Sequence, residues 1–240
     1  MDINTLNAAM TKIGLAAAHV EYIRTIARPS VDIEVLDIAG KDDSSRFGGD
    51  PYVPHNFKWP THNLGEYRFL GQINFSEVVN LPSALPDSGL LSLFYAYDEE
   101  GEIFWGDDGY VLGFYWKDYK DHVTTKSPSK DAPKAKALRL TGGVNIPENM
   151  DVRNDWPFEH KTFYELTDAL NAGNEYLLGY PSFYTLAYDP TPGPEWVSLL
   201  TLSSRDEFGW CWHDGDKLMV FIESDRLVKR DFSNLKSDAG

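Results

Sequence analysis

Few residues in this 240-residue chain could perform chemistry, and they fall into three small groups. The first is Cys211 and His213, whose side chains would share one face if the segment were a strand. A cysteine–histidine pair can produce a thiolate nucleophile, with Asp214 or Asp216 orienting the imidazole. The second group holds candidate ligands for a divalent cation: His213, Asp214 and Asp216, or Asp107 and Asp108. Neither set has the spacing of a calcium-binding loop, and Trp105-Gly106-Asp107-Asp108-Gly109 reads as a hairpin turn. His55 and His62 stand in a proline-rich stretch without a standard ligand spacing. The third group is Phe47-Gly48-Gly49-Asp50-Pro51, whose glycines could let a phosphate approach the backbone. No Gly-Lys-Ser/Thr follows and no helix starts there, so the glycines are read as positive-φ positions of a tight turn. Gly209-Trp210-Cys211-Trp212 likewise reads as a packed aromatic corner with His213 at a turn. The expectation is no catalytic residue, no metal site, no cofactor and no enzymatic activity.

Binding chemistry is better represented. A net charge of −15 argues against a nucleic-acid backbone or an anionic membrane as partner, because both call for Lys and Arg. The distribution of charge is uneven. From Phe69 to Trp116 there is no Lys, Arg or His, while Glu77, Asp87, Asp98, Glu99, Glu100, Glu102, Asp107 and Asp108 are all acidic. Lys117 to Arg139 has the opposite bias and reads as an exposed basic loop. Asp98, Glu99, Glu100, Glu102, Asp107 and Asp108 therefore form a candidate patch for a basic protein partner, whose encounter rate it would raise. The aromatic content of 14%, with seven Trp, offers an alternative. Trp59, Trp105, Trp210 and Trp212 could line a groove for a carbohydrate or other small molecule, although aromatics that flank apolar runs more often fill a core. Gln72 and Asn74, alternate positions on a strand, read as a buried hydrogen-bonded pair.

The elements that must position these residues follow from periodicity. Leu6, Met10, Ile13, Ala17, Val20 and Ile23 recur at helical spacing over Asn4–Ala27, with Gly14 as a division and Pro29 as the stop. Val31–Val35 alternates as a half-buried strand. Further strands are expected at Phe69–Ile73, Leu90–Tyr97, Tyr110–Trp116, Ala137–Leu140, Tyr184–Tyr188, Val197–Leu202 and Lys217–Ile222. Phe163–Asn171, closed by Gly173, reads as a short helix. Two hairpins share a grammar: Leu90–Trp116 turns at Trp105-Gly106-Asp107, and Val197–Ile222 turns at Trp212-His213-Asp214. Asn74–Val78 and Asp231–Leu235 form a second echo. These points give an α+β fold with mostly antiparallel sheets from an internal duplication and few short helices. A helical segment over residues 1–29 would pack on a domain spanning 30–240. One cysteine excludes a disulfide framework, no apolar run is long enough to span a membrane, and the start lacks a signal-peptide pattern, so a cytoplasmic location is expected.

Four motifs carry a resemblance: Ser45-Arg46-Phe47-Gly48-Gly49-Asp50-Pro51 followed by Trp59-Pro60; Phe69-Leu70-Gly71-Gln72-Ile73-Asn74; Leu177-Leu178-Gly179-Tyr180-Pro181; and Gly209-Trp210-Cys211-Trp212-His213-Asp214 followed by Phe221-Ile222 and Asp231-Phe232-Ser233. Their order resembles the YwqG-like family, a bacterial domain family of unknown function, over about residues 30 to 235. The resemblance implies a cytoplasmic α+β domain without an assigned catalytic residue. The chain departs from it at Leu235–Gly240, where the family tends to place another apolar strand, and near Thr201 and Ser203. The functional expectation is a non-enzymatic binding protein, monomeric or weakly dimeric. Its most concrete form is an immunity-type inhibitor that neutralises a basic toxin through the acidic surface. The alternative is a small-molecule or carbohydrate-binding domain with a Trp/Tyr groove.

Overall fold

Two amphipathic helices, α1 (Ile3–Lys12) and α2 (Ala17–Ile26), open the chain, separated at Gly14 with its φ of +67°. Asp2 caps α1 by accepting from the backbone N–H of Asn4 and Thr5. The strands that follow are β1 (Arg28–Val35), β2 (Arg46–Phe47), β3 (Tyr52–Pro54), β4 (Glu66–Asn74), β5 (Leu90–Tyr97), β6 (Val111–Trp116), β7 (His122–Thr124) and β8 (Lys136–Asn145). Then come α3 (His160–Leu170), β9 (Tyr176–Leu178), β10 (Trp196–Ser203), β11 (Lys217–Glu223), α4 (Ser224–Lys229) and β12 (Leu235–Ala239). The computed structural model describes residues 1–148, 154–170, 175–183 and 185–240.

Ten strands form one continuous sheet in the order β12-β11-β10-β9-β1-β8-β2-β4-β5-β6, with β3 and β7 as a separate pair. Every pairing between these strands is antiparallel. Outward from the central β1–β8 pair, each wing is a short strand followed by a three-strand meander: β2 then β4-β5-β6, and β9 then β10-β11-β12. The wings curl toward each other until their edges meet, giving a nearly closed, barrel-like sheet. The ring of Phe232, just before β12, lies 6.3 Å from Phe75 and 5.4 Å from Tyr115 of β6. Ser237 Oγ of β12 donates to the Trp105 carbonyl at 2.6 Å, and Lys236 pairs with Asp108. Odd positions of β5 face the opposite wing, as Tyr95 does toward Trp212 at 6.3 Å. Even positions face outward and are covered by the 51–62 segment, with Phe57 and Trp59 at 5.7 and 5.3 Å from Phe94.

This architecture corrects the expected α+β class. A single antiparallel sheet carries both halves of the chain, and the four helices of the described residues lie beside it. The hairpin echo is also out of step with the sheet. β5–β6 are the outermost strands of one wing, whereas β10–β11 are the third and second strands from the other edge. Trp-Gly-Asp composition marks turns in general, so it matched two hairpins that hold different places. Of the expected strand at Tyr184–Tyr188, Tyr184 lies outside the described residues and Thr185–Tyr188 is irregular. Gly173, expected past the end of α3, also lies outside them. Leu235–Gly240 departs from the apolar strand that the resemblance implies, yet a strand stands there, because its polar sequence alternates: Leu235, Ser237 and Ala239 turn inward while Lys236 and Asp238 do not.

The first three helices pack together beside the central β1–β8 pair. Leu6, Met10 and Ile23 of the opening helices meet Phe163, Leu166 and Leu170 of α3 in one apolar cluster. The N-terminal ammonium seals the junction by bonding Asp32 of β1 at 2.8 Å and the Val144 carbonyl of β8 at 3.1 Å.

Closure of the sheet depends on Gly113. A Cβ there would stand 2.8 Å from the Phe232 carbonyl oxygen and 2.9 Å from a Leu235 methyl, so only glycine lets the edges approach. Gly113→Ala is expected to lower the unfolding free energy by about 1–3 kcal/mol, whereas Gly106→Ala, with nothing closer than 3.9 Å, loses far less. Urea unfolding of the two variants beside wild type checks the difference.

Candidate functional site

The motif residues that look most chemical are committed to the backbone. Arg46 is 2% exposed, and its guanidinium donates to the carbonyls of Lys41 at 2.6 Å, of Asp42, and of Asp50 at 2.5 Å. Burial lowers its pKa, and the nearby Asp42, Asp50 and Asp43 counter that pull. Gln72 Nε2 donates to the carbonyls of Asp42 and Ser44 at 2.8 and 2.9 Å, while its Oε1 accepts from Tyr52 N–H at 3.2 Å. Asn74 Nδ2 donates to the Asp43 carbonyl at 2.9 Å, and its Oδ1 accepts from Ser76 N–H at 3.1 Å. Glu77 accepts from Ser45 N–H at 2.7 Å. Gln72 and Asn74 are thus buried and hydrogen-bonded as expected, but to the 41–45 loop rather than to each other. These buried polar side chains find their partners in the loop backbone.

Cys211 and His213 do not form a pair. Cys211 is exposed and Trp212 between them is buried, in an irregular segment rather than a strand. His213 Nδ1 instead sits 3.2 Å from both Asp216 Oδ2 and Thr185 Oγ1, and Thr185 donates to the same carboxylate oxygen at 2.9 Å. With both contacts on one ring nitrogen, the imidazole bridges no nucleophile to its carboxylate. Among the described residues, no group of three or more His, Cys, Asp and Glu is placed to hold a metal ion.

The four tryptophans divide between positions that cannot share one groove. Trp210 and Trp212 are each 2% exposed. Trp212 Nε1 donates to Tyr110 Oη at 3.2 Å, and Trp210 stacks on Phe208 at 4.5 Å. Trp59 lies on the opposite face of β5, its Nε1 donating to the Tyr67 carbonyl at 2.8 Å. Trp105 is half-buried, 5.6 Å from the His213 ring.

The six acidic residues share one loop, between β5 and β6, and split by role. Asp98 accepts from the backbone N–H of Glu102 at 2.7 Å and of Ile103 at 3.3 Å. Asp107 accepts from Phe104 N–H at 2.9 Å. Asp108 pairs with Lys236 across the closure. Three residues therefore shape and anchor the loop. Glu99, Glu100 and Glu102 are exposed, and no hydrogen bond or ion pair holds their carboxylates among the described residues. Between the two sets Phe104 points into solvent at 60% exposure, and Leu64 is exposed to the same degree. Leu64 belongs to a turn pressed against the base of the loop, since a Cβ on Gly65 would stand 2.2 Å from the Tyr97 carbonyl. Phe104 and Leu64 escaped sequence reading because each sits in a polar, turn-like context where neither periodicity nor a motif marks it.

A second set of charges ties the β9–β12 wing to the central pair. Arg205 grips Glu175 with two bonds of 2.8 and 3.1 Å and reaches Glu207 at 3.0 Å. Lys136 of β8 pairs with Glu207 at 2.5 Å and with Asp37 at 3.1 Å.

The family described as Domain of unknown function (DUF1963) matches residues 45–237, and the chain belongs to that family. The match begins at the Ser45-Arg46 latch and ends within β12. No curated protein matches the chain. Among the described residues, no helix is long and apolar enough to cross a membrane.

The hydrogen bond from Lys136, helped by Arg205, holds the Glu207 carboxyl below its ordinary pKa. A depressed carboxyl stabilises the fold above its unfolded pKa of about 4.3, and that contribution is lost as pH falls through the folded value. Glu207→Gln is therefore expected to lower the Tm on the order of 2 °C at pH 7, as for a partly exposed ion pair. The gap should close in thermal melts below about pH 4.

Proposed function

We propose that this protein is a non-enzymatic binding protein that engages a basic protein through the β5–β6 loop. The most concrete form of this reading is an immunity-type inhibitor that occludes a cationic toxin in the cytoplasm. One observation carries it: Glu99, Glu100 and Glu102, whose carboxylates no hydrogen bond or ion pair holds among the described residues, share one loop with the exposed ring of Phe104. An apolar anchor within a charged rim is the usual anatomy of a protein interface. Carboxylates left free in the unbound protein are available to a basic partner, whose approach they accelerate. The rigidity of the loop adds to this, because Asp98, Asp107 and Asp108 fix it before any partner arrives. The order of the sequence motifs supports the finer family reading as YwqG-like, and the inhibitor role rests on the loop alone.

The test compares wild type with the triple variant Glu99→Lys, Glu100→Lys, Glu102→Lys as baits in lysate of the native cell, at low and high salt. Wild type is expected to retain a basic protein in stoichiometric amount at low salt and to release it at high salt. The triple variant should retain about tenfold less or lower, with an unchanged far-UV circular dichroism spectrum. Equal retention by both baits, or no basic protein on the wild type, would contradict the proposal.

A further inference from the structure

A cavity of about 290 Å³ opens between β4, β5, the 127–133 segment and the turn at 206–209. It is separate from the acidic loop, and its walls come from parts of the chain far apart in sequence. Arg68 and Tyr95, directly opposite each other in the β4–β5 register, form one side. Arg68 is held rigidly: its Nε donates to Glu66 at 2.7 Å, and its guanidinium carbon lies 3.3 Å from the Tyr97 ring centroid. Tyr95, 6% exposed, stands beside the same guanidinium. Burial pushes the Tyr95 phenol up to about 12, so it remains a protonated donor at neutral pH. The apolar wall is Phe208.

The rim has the opposite charge. Asp131 and Asp206 are exposed there, and no hydrogen bond or ion pair holds their carboxylates among the described residues. Glu207 also lines the cavity, but Lys136 and Arg205 already neutralise it. The combination selects by sign. A simple anion would meet Asp131 and Asp206, and a simple cation would leave unused the Nη donors of Arg68, of which Glu66 engages only the Nε. Only a molecule with both charges, separated by a few bonds, is attracted at each end.

We propose that this cavity binds a small zwitterion of the α-amino acid type. Its carboxylate would be taken by the Nη donors of Arg68 beside the Tyr95 hydroxyl, its ammonium by Asp206 and Asp131, and an apolar side chain would lie against Phe208. The bidentate match of guanidinium to carboxylate gives the orientation. The volume, near the lower end for ligand sites, suits a molecule of that size. The 127–133 segment forms the second wall because it is latched to the glycine turn: Ser127 N–H donates to Asp50 at 2.8 Å and Gly49 N–H to the Pro133 carbonyl at 2.8 Å.

Isothermal titration with L-leucine and L-phenylalanine, each beside its N-acetyl and amide derivatives, tests this on the full chain. At least one free amino acid should bind at millimolar concentration or tighter, and blocking either charge should weaken it by about tenfold or more. Arg68→Met should abolish the preference for a free carboxylate, and the exposed Asp206→Asn should reduce the preference for a free ammonium. Thermal melts show that each variant is folded. If Arg68→Met fails to fold, the derivative series on wild type with Asp206→Asn decides alone. Absence of heat from both amino acids at 10-fold excess over millimolar concentration, or equal binding of the blocked forms, would overturn the assignment.

Discussion

One buried guanidinium determines how the first wing is built. Arg46 enters β2, a strand of two residues, and turns its charge back onto the carbonyls of Lys41, Asp42 and Asp50. Buried polar side chains need partners, and each left unpaired would cost on the order of 1–3 kcal/mol. Arg46, Gln72 and Asn74 meet that demand together. Their bonds fix the loop before β2 and, through Asp50, the loop after it. The glycine turn at Gly48-Gly49, with φ of +65° and +74°, is held in the same frame and anchors the 127–133 segment. The opposite wing has a counterpart at the same point after its own short strand. Leu178 and Gly179 take φ of +60° and +74°, and Asn145 Oδ1 accepts from Tyr180 N–H at 2.8 Å. A leucine in the left-handed region is uncommon, so the turn geometry outweighs local preference there.

That frame determines where the wings end and therefore where the acidic loop stands. Phe232 and Leu235 fill the space that Gly113 leaves open, so β12 reaches the β5–β6 loop. The loop is then tied at both ends, by Asp98 beside β5 and by Asp108 to Lys236. Its surplus carboxylates and Phe104 are presented from a rigid base. Binding surfaces gain from such preorganisation, since less conformational freedom is lost on association. The motif residues thus act on the loop indirectly, through the closure of the sheet.

Much of the secondary structure was legible in the sequence, because it rests on local rules. The apolar period of residues 4–27 and its break at Gly14 marked both opening helices, and the run Leu90–Tyr97 matched β5 at both ends. What the sequence hid is tertiary. The class was misread because local elements of both kinds do not reveal that all long strands share one sheet. β12 was missed because its buried positions include Ser237, whose hydroxyl is satisfied only by the Trp105 carbonyl 132 residues away. The acidic residues were visible as a cluster, but their division into three anchors and three free carboxylates depends on hydrogen bonds that no spacing encodes. Trp210 and Trp212 read as a packed aromatic corner, with a ligand groove as the alternative, and they are core, covered by the opposite wing. Arg68, Tyr95 and Asp206 converge on one cavity from three separate segments, and nothing local links them.

On the proposed reading, one loop divides the labour, its carboxylates steering a basic partner and Phe104 holding it. Stopped-flow or surface-based kinetics with the purified partner, over a range of ionic strength, tests it most directly. The account predicts that the association rate constant falls steeply with salt and with reversal of Glu99, Glu100 and Glu102, while the dissociation rate constant changes little. Phe104→Ala should do the reverse, raising dissociation by about tenfold or more and leaving association nearly unchanged. An association rate indifferent to salt and to the three reversed charges would contradict it.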